Sequence, residues 1–150
     1  MHLSLTHLLL ALAPLSATTL AAPAPSSSKS MMVANTQWTL TSLKRVCNNP
    51  DTNCTWSFGI TTGSNSTATD CTYVVEGNPA SKANGGPATC GHYIISSGWS
   101  GQFGPEDGFT TLSVIDEETR RIVWPAYTDK QLEGGQVVRP DQSYTPSFLP

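Results

Sequence analysis

The chain has 150 residues, of which 8 are Lys or Arg and 11 are Asp or Glu, so the net charge is −3 and only 13% of the residues are charged. This balance excludes the basic surface on which nucleic-acid binding depends, and no apolar run reaches the roughly 20 residues that a membrane-spanning helix needs. We therefore expect no nucleic-acid partner and no transmembrane segment.

Residues 1–21 have the pattern of a secretory signal peptide. The apolar core begins at Leu8, is too short to span a membrane and is interrupted by Pro14. Thr19 and Ala21 suit the positions before a cleavage site, so we expect cleavage after Ala21 and a secreted, extracellular protein. Because the start of the segment lacks Lys and Arg, a buried core helix is the alternative interpretation.

Residues 22–35 are predicted to form a flexible N-terminal arm, because this small, polar and aperiodic segment offers no face that could be buried. The remaining residues, 36–150, are enough to enclose one hydrophobic core. We expect them to form a single β domain.

Short segments rich in β-branched and aromatic residues dominate this domain, and we predict strands at 38–47, 54–61, 71–77, 92–100, 109–116, 120–124 and 136–140. The first strand changes phase between Leu40 and Leu43, as a bulged strand does. The first two strands are expected to form one hairpin, and the third and fourth another. Residues 78–89 between the latter pair are predicted to be a loop, because Gly85, Gly86, Pro79 and Pro87 disfavour strand pairing.

The clearest helix signal is a capping-box pattern from Thr128 to Gln131, followed by Leu132 and a stop at Gly134. It allows only one or two turns. Together, the many short strands and this short helix predict an all-β fold, a small antiparallel β-barrel or sandwich.

The four cysteines predict disulfide bonds, because an exported chain passes through an oxidising compartment. Four cysteines allow three pairings, and the sequence alone does not choose strictly among them. We favour the local pairs Cys47 with Cys54 and Cys71 with Cys90, because each pair flanks a turn-rich loop. A metal site is disfavoured, since no C-x-x-C spacing occurs and His92 is the only histidine beyond the signal segment.

Two triplets, at Asn53 and Asn65, match the acceptor pattern for N-linked glycans. Asn65 lies in a polar loop where a glycan would meet water, whereas Asn53 adjoins a cysteine expected to be bridged. Both are candidate glycosylation sites, with Asn65 favoured.

No catalytic constellation is evident in the sequence. The cysteines are expected to be paired, and the serine motif at 98–101 lacks the G-x-S-x-G spacing of a nucleophile elbow. His92 is expected on the strand face opposite Tyr93 and Ile95, with solvent or a hydroxyl group as its partner.

Carboxylates could in principle support glycoside hydrolysis, and the candidates are Glu106 with Asp107 and the group Asp116, Glu117 and Glu118. Both groups lie in turn-like sequence, where acids commonly serve solubility and backbone hydrogen bonding. Phosphate-binding glycine loops, dinucleotide fingerprints and calcium loops are also absent from the sequence. We therefore predict no catalytic residue, no metal ligand and no cofactor.

Aromatic and acidic residues concentrate in a glycine-rich segment between two predicted strands. This pattern is typical of side chains presented on a loop for binding a sugar or a partner protein. The candidate recognition surface consists of Trp99, Gln102, Phe103, Glu106, Asp107 and Phe109. The alternative is that Trp99 and Phe109 simply end and begin core strands.

Four segments, 38–47, 99–116, 122–132 and the V-x-P-D-Q-S-Y run at 138–144, resemble the secreted hypersensitive-response-inducing elicitors of plant-associated ascomycete fungi. The resemblance covers nearly the whole chain beyond the signal segment, including the layout of the four cysteines. It implies a compact disulfide-bonded β-barrel that is released outside the fungal cell. It also implies perception by a plant cell-surface receptor or membrane component, followed by defence signalling and local cell death. The resemblance carries no active-site residue.

Two functions are therefore consistent with the sequence. The first is a non-enzymatic elicitor that plant cells recognise by its surface. The second is a small extracellular hydrolase or glycan-binding module that acts on the fungal or plant cell wall.

Deletion of residues 22–35 is expected to leave the melting temperature within about 2 °C, because the segment has no pattern that could be buried. The measurement is thermal unfolding of chains that begin at residue 22 and at residue 36. A fall of more than about 5 °C, equivalent to about 1 kcal/mol in a domain of this size, would show that the arm packs as part of the domain.

Overall fold

A computed structural model describes residues 36–150, so the predicted signal peptide at 1–21 and the predicted arm at 22–35 lie outside the described residues. Within the described part, ten strands are numbered β1 to β10 in chain order. They span Trp38–Cys47, Asn53–Thr62, Thr69–Glu76, Gly85–Cys90, Tyr93–Ser100, Phe109–Asp116, Arg121–Val123, Ala126–Thr128, Gln142–Tyr144 and Ser147–Phe148. One α-helix, α1, spans Asp129–Leu132, and short 3-10 turns span Ala80–Lys82 and Glu133–Gly135.

The strands form two antiparallel sheets. The first, sheet A, has the order β3-β2-β1-β9, and the second, sheet B, has the order β10-β7-β6-β5-β4 with β8 also paired to β6. Both sheets are open, so the fold is a sandwich and the closed barrel implied by the resemblance is not formed. The all-β class and the single short helix agree with the sequence prediction.

The core lies between the two sheets. The buried side chains come from alternate positions of both sheets, as expected when each sheet packs one face inward. Leu40 and Ile60 of sheet A and Ile95 and Leu112 of sheet B are each at most 1% exposed. Burial of one such side chain contributes about 1.5 to 3 kcal/mol, so this layer holds the sheets together.

A bulge in β1 explains why its apolar pattern changes phase. The pairing of β1 with β2 shifts register between Thr41 and Lys44, and Ser42 has a positive φ of 53°. The extra residue lets both Leu40 and Leu43 point into the core. The predicted bulge is therefore present.

The prediction for residues 78–89 was wrong, because the loop holds strand β4, which pairs with β5. Strand β4 lies at the edge of sheet B, where Pro87 removes no central hydrogen bond, and its register shifts between Gly85 and Ala88. The expected pairing of the third and fourth predicted strands was also wrong. Strand β3 pairs with β2, and β5 pairs with β4 and β6.

The C-terminal third also differs from the prediction. Residues 136–140 form no strand, although the Val138 amide donates a hydrogen bond to the Leu43 carbonyl and its side chain is buried. Three short strands, β8, β9 and β10, were not predicted, because a segment of two or three residues carries no visible alternation. Helix α1 has the predicted capping box, in which Thr128 accepts from the Gln131 amide.

The disulfide bonds in the structure join Cys47 to Cys54 and Cys71 to Cys90, the same pairs as the local pairing. The first joins directly paired positions of β1 and β2. The second joins β3 to β4 and so links the edge of sheet A to the edge of sheet B. Its role is therefore to hold two sheets together rather than two strands of one hairpin.

Replacement of Cys71 and Cys90 by Ala is expected to lower the free energy of unfolding by about 3 kcal/mol, and replacement of Cys47 and Cys54 by somewhat less. The sequence separations are 19 and 7 residues, and the longer loop releases more chain entropy when it is opened. Urea denaturation of both double variants measures the difference. Peptide mapping without reduction comes first, and a peptide linking Cys54 to Cys71 would contradict the pairing.

Candidate functional site

The loop from Gly101 to Gly108, between β5 and β6, forms one wall of an apolar pocket of about 520 Å³. We call it the Phe103 pocket. Strand β8, which pairs with β6, and the start of α1 supply lining residues as well. The lining residues are Phe103, Glu106, Asp107, Phe109, Ala126, Tyr127, Thr128 and Lys130.

Phe103 is held in an exposed position. Its side chain is 69% exposed, and its ring stacks on that of Phe109 with 5.8 Å between the centroids. Two successive turns shape the loop, because the Gly104 amide donates to the Gly101 carbonyl and the Asp107 amide donates to the Gly104 carbonyl. Gly104 has a φ of 116°, which a residue with a side chain rarely adopts.

Charged groups surround this aromatic pair. The Asp107 carboxylate lies 3.9 Å from the Lys130 ammonium, with both side chains about two thirds exposed, and Glu106 is exposed beside them. The hydroxyl of Tyr127 is not part of this charged edge, because it is buried, and burial together with the nearby Tyr144 and Asp141 raises the pKa of this tyrosine. The pocket therefore has an apolar wall and a charged edge, as many protein interfaces do.

Trp99 lies outside the Phe103 pocket and supports its loop. The Trp99 indole Nε1–H donates to Asp129 Oδ2 at 2.9 Å, and the Lys82 ammonium lies 5.4 Å from the ring centroid. A Cβ atom on Gly101 would lie 2.5 Å from this ring, and one on Gly108 would overlap Asp129 Oδ2 and lie 3.1 Å from the ring, so a side chain at either position would displace Trp99 or Asp129.

Of the six residues predicted as a recognition surface, the structure brings four together at the Phe103 pocket. They are Phe103, Glu106, Asp107 and Phe109. Gln102 is exposed on the same loop but does not line the pocket, and half-buried Trp99 packs beneath the loop. The surface itself stays a prediction, now with Phe103 as its most exposed aromatic side chain.

Asp129 is the residue that holds the loop, and the sequence did not identify it as such. Its backbone amide donates to the Gly108 carbonyl, and its carboxylate meets both Trp99 and the guanidinium of Arg45, which lies 3.6 Å away. Arg45 is only 7% exposed and also donates to the Ser81 carbonyl. The available signal was the position of Asp129 at the start of a capped helix, which is a helix-stabilising position for an acid.

His92 lies at the other end of β6 from the Phe103 pocket. His92 lies in the turn before β5 rather than on the predicted strand, and its side chain is exposed to solvent as expected. Its Nε2 atom is also 3.8 Å from Asp116 Oδ2, a carboxylate neighbour that the sequence did not predict. Asp116 is buried and also accepts hydrogen bonds from the amides of Glu118 and Thr119 and from the Thr119 hydroxyl. This carboxylate therefore organises the β6–β7 turn and lies close to the imidazole.

The two acidic groups considered for glycoside hydrolysis are far apart. Glu106 and Asp107 precede the first residue of β6, and the group 116–118 begins at its last residue. An eight-residue antiparallel strand is about 24 Å long, whereas paired catalytic carboxylates lie about 5 to 9.5 Å apart. The two groups therefore do not combine into one hydrolytic site.

The carboxylate of Asp51 and the sulfur atoms of Cys47 and Cys54 lie within 4.8 Å of one another. Both sulfur atoms belong to one disulfide, so neither is a thiolate ligand. Asp51 instead accepts hydrogen bonds from the amide and hydroxyl of Ser81. This cluster is a structural turn and does not fit a metal ion.

Of the two glycan acceptor candidates, Asn65 is exposed in the turn after β2, and Asn53 is half-buried at the first position of β2. Their occupancy stays a prediction. Within residues 36–150, no helix is long and apolar enough to cross a membrane.

The described residues form a small β-sandwich with two disulfide bonds. Residues 39–149 match the family described as Effector TSP1, and the chain belongs to this family of fungal effectors. It is 55% identical over 149 residues to a protein named Effector TSP1 from Hypocrea virens (strain Gv29-8 / FGSC 10586). That alignment covers 99% of this chain and 100% of the relative.

Replacement of Asp129 by Ala is expected to lower the free energy of unfolding by about 2 to 3 kcal/mol, because it leaves the buried Arg45 guanidinium without its counter-charge. The matched control is Asp107→Ala, which breaks an exposed ion pair and should cost less than about 0.5 kcal/mol. Urea denaturation measures both values. Equal costs for the two variants would contradict a supporting role for Asp129.

Proposed function

We propose that this chain is a secreted fungal effector that plant cells perceive through its surface and answer with defence signalling and hypersensitive cell death. Its partner is a plant cell-surface receptor or a membrane component. Membership of an effector family supports the general role. The observation that supports a recognition surface is the 69% exposed ring of Phe103, fixed by its stacking on Phe109.

Secretion is supported by the signal-like residues 1–21 and by the disulfides. Disulfides persist outside the cell and are rare in the reducing cytosol, so the chemistry of these cysteines fits an extracellular protein.

Recognition at the Phe103 pocket has a physical basis. Interfaces obtain most of their binding energy from a few anchors, which are often aromatic and sit beside charged groups at the rim. Phe103 provides the aromatic anchor, and Glu106, Asp107 and Lys130 provide the rim charges. Because Trp99 and Asp129 fix the loop from beneath, the ring loses little conformational freedom when a partner binds.

A non-catalytic mode of action is supported by the same geometry. The cysteines are paired and carry no nucleophilic thiolate, and the two groups of acids lie at opposite ends of β6. The hydrolase alternative has one supporting observation, the approach of His92 to Asp116, which could orient an imidazole as a general base. Substitution of His92 therefore tests this alternative.

Replacement of Phe103 by Ala is expected to raise the protein dose for half-maximal cell death by at least about tenfold, because it removes the aromatic anchor. The assay is ion leakage from leaves infiltrated with purified protein over a range of doses. The matched control is Phe148→Ala, since Phe148 is a similarly exposed phenylalanine, 73% against 69%, on the last strand. Thermal unfolding of both variants checks that the fold is retained.

The variants His92→Ala, Glu106→Gln and Asp107→Asn are each expected to retain most of the response at equal dose. An unchanged response to Phe103→Ala would reject recognition through this pocket. Loss of the response in a normally folded His92→Ala protein would instead favour the alternative, a hydrolase or glycan-binding module.

A further inference from the structure

The end of the sandwich opposite the Phe103 pocket opens into a cavity of about 510 Å³, which we call the mouth. It lies between the sheets, because Trp38 and Ile60 of sheet A and Tyr93 and Asp116 of sheet B all line it. The rings of Trp38 and Tyr93 meet edge to face at 5.5 Å and close its inner side. Burial, together with the nearby negative charge of Asp116, raises the pKa of Tyr93.

A second cavity of about 660 Å³ meets the mouth at Thr36, which lines both; we call it the groove. The eight residues that line the groove in the described part of the chain are all Thr, Ser, Gln or Gly. Three of them, Ser143, Thr39 and Thr61, occupy one row across β9, β1 and β2. The groove therefore presents hydroxyl groups at strand spacing, and none of its lining residues within 36–150 is charged.

Hydroxyl groups of this kind suit a polyhydroxylated ligand. The Thr39 and Ser143 hydroxyls lie 2.7 Å apart and share one hydrogen bond. Each hydroxyl can donate one hydrogen bond and accept two, so this shared bond leaves capacity for a ligand at both side chains. The described lining residues offer no charge to oppose an ionic ligand, so their chemistry favours a neutral one.

The mouth adds an aromatic platform. Phe148 lines it with a side chain that is 73% exposed, and the Arg121 guanidinium lies 4.9 Å from the ring centroid. A large exposed aromatic ring that is held in place offers an apolar face to a ligand. Glu118 and His92 also line the mouth and supply planar polar groups that can hydrogen-bond the hydroxyls of a ligand.

A pyranose ring has this combination of chemistry, with hydroxyl groups at its edge and an apolar C–H face. We propose that the mouth and the groove together bind a neutral oligosaccharide of a cell wall, with one sugar ring against Phe148 and further sugars along the row of hydroxyls. Each cavity has the volume of a small-ligand site, and their meeting at Thr36 accommodates a chain of several sugars. The inference deepens the glycan-binding alternative and is independent of recognition at the Phe103 pocket.

The test is an NMR titration of the full secreted chain, labelled with ¹⁵N and produced in an oxidising bacterial host that adds no N-glycan. The probes are cellotetraose, which represents the plant wall, and chitotetraose, which represents the fungal wall, each up to about 10 mM. We expect shifts of the Trp38 indole signal and of the amides of Thr39, Thr61 and His92. The tetraose that binds more tightly identifies the source of the ligand.

Two variants locate the site. Phe148→Ala is expected to weaken binding by about tenfold or more, and Thr61→Val, which replaces a hydroxyl by a methyl group of similar shape, by about threefold to tenfold. Ser143→Ala is a second hydroxyl deletion at an exposed position, to be used if Thr61→Val lowers the melting temperature. The matched control is Phe103→Ala, which should leave the dissociation constant unchanged.

The absence of shifts with both tetraoses would overturn the proposal. Shifts confined to the Phe103 pocket, or equal affinities for Phe148→Ala and Phe103→Ala, would overturn it as well. The leaf assay reports separately on the proposed function. Phe103→Ala is expected to weaken the leaf response, whereas Phe148→Ala is expected to weaken binding of the tetraose.

Discussion

The arrangement of the sandwich end that carries the Phe103 loop depends on the contacts of the Asp129 carboxylate. It joins Arg45 of sheet A to Trp99 of sheet B, and its own amide holds the loop at Gly108. An arginine this deeply buried is costly to desolvate, so it is tolerated only where an opposite charge meets it. Because the contacts of Asp129 reach both sheets, the position of the Phe103 loop is coupled to the packing of the core.

The elements that could be predicted are those whose signal is local. The phase change between Leu40 and Leu43 indicated the bulge of β1, and the capping box at Thr128 indicated α1, because both depend on side chains close together in sequence. The aromatic loop was also recognisable from its glycines. Phe103 and Phe109 of this loop stack and line one pocket, while their role in recognition stays a prediction.

The features that could not be predicted depend on contacts between distant residues. Strand β4 contains Gly86 and Pro87, which disfavour a strand locally, yet its edge position and the bond from Cys90 to Cys71 stabilise it. Trp99 looked like a presented ring because nothing nearby in sequence indicated Asp129 as its partner. The proximity of His92 and Asp116 likewise results from the pairing of β5 with β6, since the two residues lie 24 positions apart.

The length of β6 sets the distance between the Phe103 pocket and the mouth. Phe103 and Phe148 lie near opposite ends of a strand about 24 Å long, and each is the exposed ring of a separate cavity. A molecule bound at one ring therefore leaves the other accessible. If both proposed sites bind, the scaffold would be a bivalent bridge, in which attachment at one end raises the effective concentration of the other end near its own partner.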